Sequence, residues 1–250
     1  MWSERQQAML GAMGLRLWQP APAPATAPAP APAREPAAAP VAVPLATGAA
    51  APAATALAGL DWPALRAAVA GCTACSLCQS RTQTVFGVGN EAAHWLVIGE
   101  APGEQEDLQG EPFVGPAGQL LDRMLAALGL SRAAEGPVAQ RVYIANTLKC
   151  RPPRNRNPTP EEMALCEPFL QRQIELLQQR IILAMGRFAV QALLRSDEPV
   201  GKLRGRVHHY RGVPLIVTYH PAYLLRSPGE KARAWDDLCF AAGVAEGATG

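Results

Sequence analysis

The chain has 250 residues, six cysteines and a formal net charge of +2 at pH 7. This length allows one or two domains, and the nearly neutral charge does not by itself indicate a nucleic-acid-binding protein. No stretch reaches the roughly 18 consecutive apolar residues that span a bilayer, which argues against a membrane protein.

The N-terminal segment, residues 1–19, is predicted to form a short amphipathic helix. Ser3 and Gln6 can form a capping box ahead of an apolar stripe. Its charges interrupt the apolar core that a secretory signal needs, so we expect a cytoplasmic protein. The helix either folds back onto the domain that follows or docks on a protein partner.

Residues 20–56 consist almost entirely of Ala, Pro, Val and Thr, as in PAPAPATAPAPAPA. Such a segment cannot bury enough apolar surface to offset its chain entropy, and its prolines favour extended polyproline II. We therefore predict a disordered Pro/Ala-rich linker, and a single folded domain over residues 57–245.

Within this domain, four short apolar runs bounded by turn-forming residues are typical of strands buried on both faces. They are WLVIG (95–99), VYIAN (142–146), IILAMG (181–186) and PLIVTYH (214–220). Helical periodicity lies between them, at 117–128, 159–179 and 187–195. Because strands and helices alternate, we predict an α/β fold: a three-layer α/β/α sandwich on a mostly parallel four-stranded sheet.

Three of the predicted strands end in polar loops of unusual composition: GEAPGEQED, NTLKCRPPRNRNP and HPAYLLR. Ligands bind outside the carboxyl ends of the strands in such sheets, so the three loops are predicted to form one site. The stretch GEAPGEQEDLQGEPFVGPAGQLL (99–121) combines glycines, which allow close backbone approach, with prolines, which fix the path. This combination indicates a ligand cradle.

Basic residues concentrate in two short segments, one within eight residues and the other within ten. The first contains Lys149, Arg151, Arg154 and Arg156, and the second contains Lys202, Arg204, Arg206, His208, His209 and Arg211. Such clusters can neutralise phosphates, and they are equally compatible with a solvated charged face.

The cysteines indicate a metal centre. Cys72-x2-Cys75 forms a chelating turn, and Cys150-x15-Cys166 adds a loop thiol and a helix thiol. The spacing does not separate zinc from an iron–sulfur cluster, and inert buried thiols are the alternative. Two further cysteines, Cys78 and Cys239, are predicted to be buried by packing.

Five motifs occur in order along the chain. They are CTAC (72–75), RTQTVFGVGN (81–90), GEAPGEQEDLQGEPFVGPAGQLLDRML (99–125), NTLKCRPPRNRNPTPEEMALC (146–166) and YHPAYLLR (219–226). This combination resembles the family 4 uracil-DNA glycosylases, the iron–sulfur branch of their superfamily, from about Leu57 to Phe240. The resemblance implies a DNA repair enzyme that flips uracil out of DNA, hydrolyses its N-glycosidic bond and so starts base excision repair.

The same resemblance implies a cofactor and a partner. A 4Fe–4S cluster would be held by Cys72, Cys75, Cys150 and Cys166. The partner would be uracil-containing DNA at the bacterial nucleoid, bound by a monomer, with a further protein partner possible through the N-terminal helix.

The resemblance also assigns roles around the base. Phe113 would stack on the flipped uracil, and the amide of Asn146 would match its O4 and N3–H edge. Cytosine reverses that edge and would leave buried polar groups unpaired. His220 would reach O2, where negative charge builds as the bond breaks.

Water activation is the least defined part of the predicted site. Better-known branches carry an aspartate where this chain has Ala101. Glu100 and backbone carbonyls are therefore expected to position the water, while Gly99 and Glu106 line the uracil pocket.

The remaining predicted contacts are with the DNA backbone. The segment AYLLRSPG would press an apolar wedge into the duplex, while Arg226 meets a phosphate. Arg154 and Arg156 are predicted to bind phosphates as well.

Rival interpretations remain. One is a superfamily member that binds uracil-DNA without hydrolysis, or covalently through a histidine in an inserted basic loop. The corresponding stretch here, RPPRNRNPTPEE, has no histidine. Another is electron transfer through the cluster, for which the sequence contains no partner motif.

Overall fold

The computed structural model describes residues 57–133 and 135–247. The predicted N-terminal helix (1–19) and linker (20–56) lie outside the described residues.

A six-stranded sheet forms the centre of the described domain. Its strands are β1 Val88–Gly89, β2 Trp95–Gly99, β3 Val142–Asn146, β4 Ile181–Met185, β5 Val207–Tyr210 and β6 Val213–Thr218. Their order is β1-β3-β2-β4-β6-β5. The four central strands are parallel, and the two edge strands are antiparallel to their neighbours. The carboxyl ends of β2, β3, β4 and β6 therefore meet at one edge of the sheet.

The four predicted strands are confirmed, but the predicted count of four is two short. The missed strands are the edges: β1 has two residues, and β5 reads VHHY with a partly exposed pattern. By contrast, every residue of β2, β3 and β4 is buried. Edge strands lack the continuous apolar signal that two-sided burial imposes on a sequence.

Helices cover both faces of the sheet. They are α1 Trp62–Ala70, α2 Glu104–Gln109, α3 Pro116–Ala127, α4 Pro160–Leu176, α5 Arg187–Leu194, α6 Val200–Leu203, α7 Pro221–Arg226 and α8 Lys231–Gly247. None of these described helices is long and apolar enough to cross a membrane.

Two hydrophobic cores lie on opposite faces of the sheet, which confirms the predicted three-layer sandwich. On one face, Leu96 and Ile98 of β2 pack with residues of α4 and α5 such as Ile174 and Val190. On the other face, the alternate residue Val97 packs with residues of α3 and α8 such as Leu121 and Leu238. Each such aliphatic side chain stabilises the fold by about 1.5–3 kcal/mol when fully buried.

A capping box formed by Thr159 and Glu162 begins α4. Thr159 Oγ1 accepts a hydrogen bond from the Glu162 amide at 3.2 Å, and Glu162 Oε2 accepts one from the Thr159 amide at 2.9 Å. Pro160 occupies the first helical position. The cap fixes where the loop that follows β3 turns into α4.

Candidate active site

A cavity of about 760 Å³ opens at the carboxyl edge of the parallel strands. The predicted site residues that line it are Glu100, Ala101, Glu106, Phe113, Asn146, Arg156, His220 and Arg226. The loops after β2, β3 and β6 therefore meet in one place, as predicted from the polar loops that follow the parallel strands.

Asn146 is the last residue of β3 and is only 2% exposed. Its Oδ1 atom is buried and has no hydrogen-bond partner within the described residues. A buried acceptor left unpaired costs about 1–3 kcal/mol, so a ligand N–H in the cavity would recover that free energy.

Gly99 lies beside Asn146 in the sheet register. A Cβ atom at this position would come within 2.5 Å of Asn146 Oδ1 and 2.6 Å of the Phe113 ring. Gly99 is therefore needed for space: any side chain would displace the two groups predicted to hold the base.

Phe113 belongs to the core below the cavity and also lines the cavity itself. Its ring centroid lies 5.4 Å from that of His220, with the planes tilted by 31°. Its backbone is left-handed, with φ of 56°. Arg132 holds this strained segment, donating to the carbonyls of Pro112 and Phe113 at 2.8 and 3.1 Å.

Glu106 lines the cavity, but its carboxylate is already engaged by main-chain amides. Oε1 accepts hydrogen bonds from Val114 and Gly115, both at 2.9 Å, and Oε2 accepts one from Gly103 at 3.1 Å. This geometry indicates that Glu106 holds the loop that carries Phe113 rather than contacting a base directly.

His220 caps α7, and its Nδ1 accepts a hydrogen bond from the Ala222 amide at 3.2 Å. Burial, reinforced by the nearby charge of Arg226, lowers the pKa of His220 to about 4, while Glu106 acts in the opposite direction. The ring is therefore neutral near pH 7. Because Nδ1 is an acceptor, the proton lies on Nε2, which is left as a donor.

Glu100 and Ala101 follow β2 at the cavity wall. Burial raises the pKa of Glu100, and the charges of Arg187 and Arg226 oppose that shift. Arg187, which directly follows β4 and Gly186, was missed by the sequence analysis because no unusual loop marks the end of that strand. Its position at the carboxyl edge was the available signal.

The three arginines predicted to bind DNA differ in their surroundings. Arg154 is exposed, lies off the cavity and forms no hydrogen bond or ion pair among the described residues. The Arg156 guanidinium donates to both oxygens of Glu162 at 2.8 and 2.6 Å, which raises the pKa of Arg156. Arg226 lies in the last turn of α7 and lines the cavity.

Apolar side chains on α7 project beside Arg226. Tyr223 and Leu225 are 38% and 43% exposed, whereas Leu224 between them is fully buried. The helix therefore anchors itself through Leu224 and presents two large side chains to solvent, of which Tyr223 also lines the cavity. This arrangement is compatible with the predicted wedge.

The second basic cluster is largely neutralised by ion pairs. Arg204 pairs with Asp237 at 2.9 Å, Arg206 with Glu198 at 3.8 Å and Arg211 with Glu175 at 2.6 Å. For this segment the geometry favours the solvated-face interpretation over a phosphate-binding site.

A second, small cavity with different lining residues brings five thiols together. It is lined by Cys72, Cys75, Cys78, Cys150 and Cys166, which are all free thiols. Cys78 is therefore part of the thiol cluster, and Cys239 is exposed on α8 next to the buried Leu238. The prediction that Cys239 is buried by packing was wrong, because that position faces solvent.

One basic side chain, that of Arg81, donates hydrogen bonds to the thiol cluster. Arg81 donates to Cys150 Sγ at 2.9 Å and to the Cys72 carbonyl at 2.8 Å. Burial raises the pKa of the Cys166 thiol to about 12, so a metal would have to displace its proton. In the described part of the chain, no three His, Cys, Asp or Glu side chains converge as ligands of a single metal ion.

Comparison with known proteins identifies the family. Residues 86–239 match the model of the uracil DNA glycosylase superfamily. The chain therefore belongs to the uracil-DNA glycosylase superfamily.

Relatives that are 38–44% identical to this chain identify the branch of the superfamily, and they confirm the resemblance to family 4. The chain is 44% identical to the Type-4 uracil-DNA glycosylase of Archaeoglobus fulgidus, over 64% of this chain and 81% of the relative. It is 43% identical to the Type-4 uracil-DNA glycosylase of Thermotoga maritima, over 65% of this chain and 82% of the relative. A Type-5 uracil-DNA glycosylase of Pyrobaculum aerophilum is 33% identical over 54% of this chain and 64% of the relative.

Proposed function

We propose that this chain is a uracil-DNA glycosylase that flips uracil out of DNA and hydrolyses its N-glycosidic bond, starting base excision repair. The relatives' names support this function. The observation that carries it is the buried, unpaired Oδ1 of Asn146 in a cavity next to an aromatic ring.

Asn146 can read the base through both ends of its amide. Oδ1 accepts from N3–H of uracil and Nδ2 donates to O4, while Phe113 stacks on the ring. Cytosine has an acceptor at N3 and an amino group at C4, so neither of these two hydrogen bonds could form. Rejection by unpaired buried groups is a strong form of discrimination.

His220 can stabilise the departing base. As the bond between C1′ and N1 breaks, its electron pair moves onto uracil and negative charge develops at O2. A neutral His220 with its proton on Nε2 can donate to O2 without holding a positive charge in a buried site. A donor aimed at developing charge stabilises the transition state more than the substrate.

Glu100 and nearby main-chain carbonyls orient the attacking water, because Ala101 has no carboxyl group. The water oxygen bonds to C1′ and its proton is released to Glu100 or solvent. The guanidinium groups of Arg187 and Arg226 favour the carboxylate form of Glu100 that can orient this water.

DNA would approach across the rim formed by α7 and the loop before α4. Tyr223 and Leu225 fill the gap left by the flipped nucleotide, and Arg226 contacts a phosphate beside it. Arg154 extends the same basic rim. Arg156 contributes less to DNA binding, since Glu162 already holds its guanidinium.

The thiol cluster fits an iron–sulfur centre by the chemistry of its donors. Cys72, Cys75, Cys150 and Cys166 would hold the 4Fe–4S cluster that the family implies, and Cys78 is a fifth thiol in reach. When bound, such a cluster supplies a strong crosslink between the segment before β1, the loop after β3 and α4. Base release needs no electron transfer through it.

We extend the proposal to the whole chain. Residues 57–245 form the catalytic domain, which acts as a monomer in the cytoplasm on DNA of the nucleoid. Residues 20–56 act as a linker, and residues 1–19 form a helix that contacts a protein partner.

A base-release assay tests the function. The full chain is incubated with an oligonucleotide containing one uracil, beside the Asn146→Asp and His220→Ala variants, and free uracil is measured. Released uracil supports the enzyme. A heat-stable adduct would indicate a covalent DNA-binding protein instead, and binding without either product would indicate a non-hydrolytic one.

A further inference from the structure

A buried lysine lies between the thiol cluster and Asn146. Lys149 is 1% exposed, and its Nζ donates to the main-chain oxygen of Asn146 at 2.9 Å and to Gln173 Oε1 at 2.6 Å. Lysine is almost never fully buried unless it is paired. Yet within residues 57–133 and 135–247 no carboxylate forms an ion pair with it.

Helix α4 holds this lysine at both ends. Cys166 Sγ accepts a hydrogen bond from the Lys149 main-chain amide at 3.3 Å, and Gln173 accepts the one from Nζ. Because Cys166 and Gln173 are seven residues apart, they lie on the same face of α4. Gln173 Nε2 in turn donates to the Phe86 carbonyl at 3.0 Å and to Tyr143 Oη at 3.3 Å. A buried network in which each of these side chains has a hydrogen-bond partner is rigid.

The network fixes the backbone that carries Asn146. Beyond the lysine contact, the amides of Thr147 and Leu148 donate to the carbonyls of Gly99 and Glu100, both at 3.1 Å. The chain after β3 is thus held from the β2 side and from the α4 side. Among the buried side-chain polar atoms of the described residues, Asn146 Oδ1 is the one left unpaired, and its direction follows from the fixed backbone.

We propose that Lys149 is a positioning residue for base selection: by holding the main-chain carbonyl of Asn146 against α4, it keeps Oδ1 aimed at the N3–H of uracil. This inference rests on the proposed function. It gives α4 a double role, because one face of the helix supplies both Cys166 to the thiol cluster and Gln173 to the support of the base-reading residue.

The test separates base reading from DNA binding. Lys149→Met keeps a similar length and removes the donors. Its affinity is measured for two hydrolysis-resistant duplexes, one with 2′-fluoro-2′-deoxyuridine and one with a tetrahydrofuran abasic site. We expect about a tenfold loss for the first duplex, the factor that corresponds to one hydrogen bond, and no loss for the second. Iron and sulfide per chain should match the wild type.

Three further variants sharpen the result. Gln173→Met removes the partner that orients Nζ, and it should give the same selective loss. Gln171→Met on the same helix, whose amide bonds Glu167, is the matched control and should change neither affinity. In the double variant of Asn146→Ala with Lys149→Met, the loss should not exceed that of Asn146→Ala alone, since the lysine acts through the asparagine.

The contrary outcomes are distinct. Equal loss on both duplexes, unchanged affinity in both network variants, or additive losses in the double variant would overturn the positioning role. If Lys149→Met does not fold, Gln173→Met decides the question; failure of both to fold would assign the network to overall stability and overturn the proposal. A wild-type chain that releases no uracil would instead overturn the proposed function.

Discussion

Two properties distinguish the buried His220 from an exposed histidine. Its ring is neutral near pH 7, and its tautomer is set by the main-chain amide of Ala222. The side chain can therefore act as a donor of defined direction without titrating in the physiological range.

Replacing His220 by alanine should lower base release by roughly 10²- to 10³-fold, the usual loss for one transition-state donor. Binding to DNA should change less, because the contact strengthens only as charge develops. Single-turnover rates and affinity for the fluorinated duplex measure the two effects. His209→Ala on exposed β5 is the matched control. A rate equal to the wild type would remove His220 from the mechanism.

The lowered pKa of His220 also predicts the pH dependence. Base release should show no inflection near the ordinary histidine pKa of about 6.5, and the part due to His220 should be lost only as pH falls towards about 4. The unfolded chain binds a proton below about pH 6.5 that the folded ring does not, so stability should also decrease as pH falls through that window. Rate and thermal-unfolding profiles of wild type and His220→Asn, recorded between these limits, check both statements. A wild-type rate that inflects near 6.5 would contradict them.

Asn146→Asp should slow uracil release, because a carboxylate repels O4 of the base. When protonated, the carboxyl group offers a changed hydrogen-bond edge that can accept cytosine. Release of uracil and cytosine from matched oligonucleotides is compared at acidic and neutral pH. If the preference for uracil is unaltered, another residue reads the base.

At the scale of elements, the thiol cluster connects parts of the chain that are far apart in sequence. Cys72 and Cys75 lie just after α1, Cys150 lies in the loop after β3, and Cys166 lies on α4. A metal held here would stabilise the loop that directly follows Asn146, the last residue of β3.

The purified protein should be brown, and Cys150→Ala or Cys166→Ala should lose both iron and folding. Cys239→Ala, exposed on α8, is the control for thiol loss. Cys78→Ala should retain iron, since the other four thiols complete the set. Absorbance spectra, iron content and thermal unfolding give the readouts. A colourless wild type with one bound zinc would contradict the cluster assignment.

The basic loop before α4 contains Arg154 and Arg156, and separate substitutions should have different effects. Arg154→Ala should weaken DNA binding and reduce the slope of log affinity against log salt by about one, as for one phosphate contact. Arg156→Ala should destabilise the fold as well, because it leaves the buried Glu162 without its guanidinium partner.

Affinities at several salt concentrations and unfolding temperatures distinguish the two effects. The exposed Arg180, at the opposite end of β4, provides the control Arg180→Ala. An unchanged salt slope in Arg154→Ala would return that residue to the solvated surface.

For the whole molecule, the N-terminal segment poses the main question. Deleting residues 1–19 should leave base release on a short oligonucleotide intact and remove a protein partner from pull-downs, since the proposed linker would give the proposed helix reach beyond the catalytic domain. A drop of several degrees in unfolding temperature would instead show that the helix packs on the catalytic domain.

Sequence reasoning located the buried strands because burial on both faces leaves an apolar run in each of them. It also brought the loops of Asn146 and His220 together, since parallel strands end at one edge. It could not foresee that Glu106 is occupied by main-chain amides or that Arg156 is paired, because hydrogen-bond partners depend on the folded path of each loop. Strand β1 could not be recognised in the sequence because it has only two residues.

The orientation of Asn146 also has a consequence for turnover. Hydrolysis changes N1 of uracil, but the O4 and N3–H edge that Asn146 is proposed to read is the same in the free base. With Asn146 in this role, the pocket would offer the released uracil much of the affinity that it offers the nucleotide. Free uracil should compete with the next lesion, and departure of the base, as much as bond cleavage, would set how quickly one molecule moves on to another site.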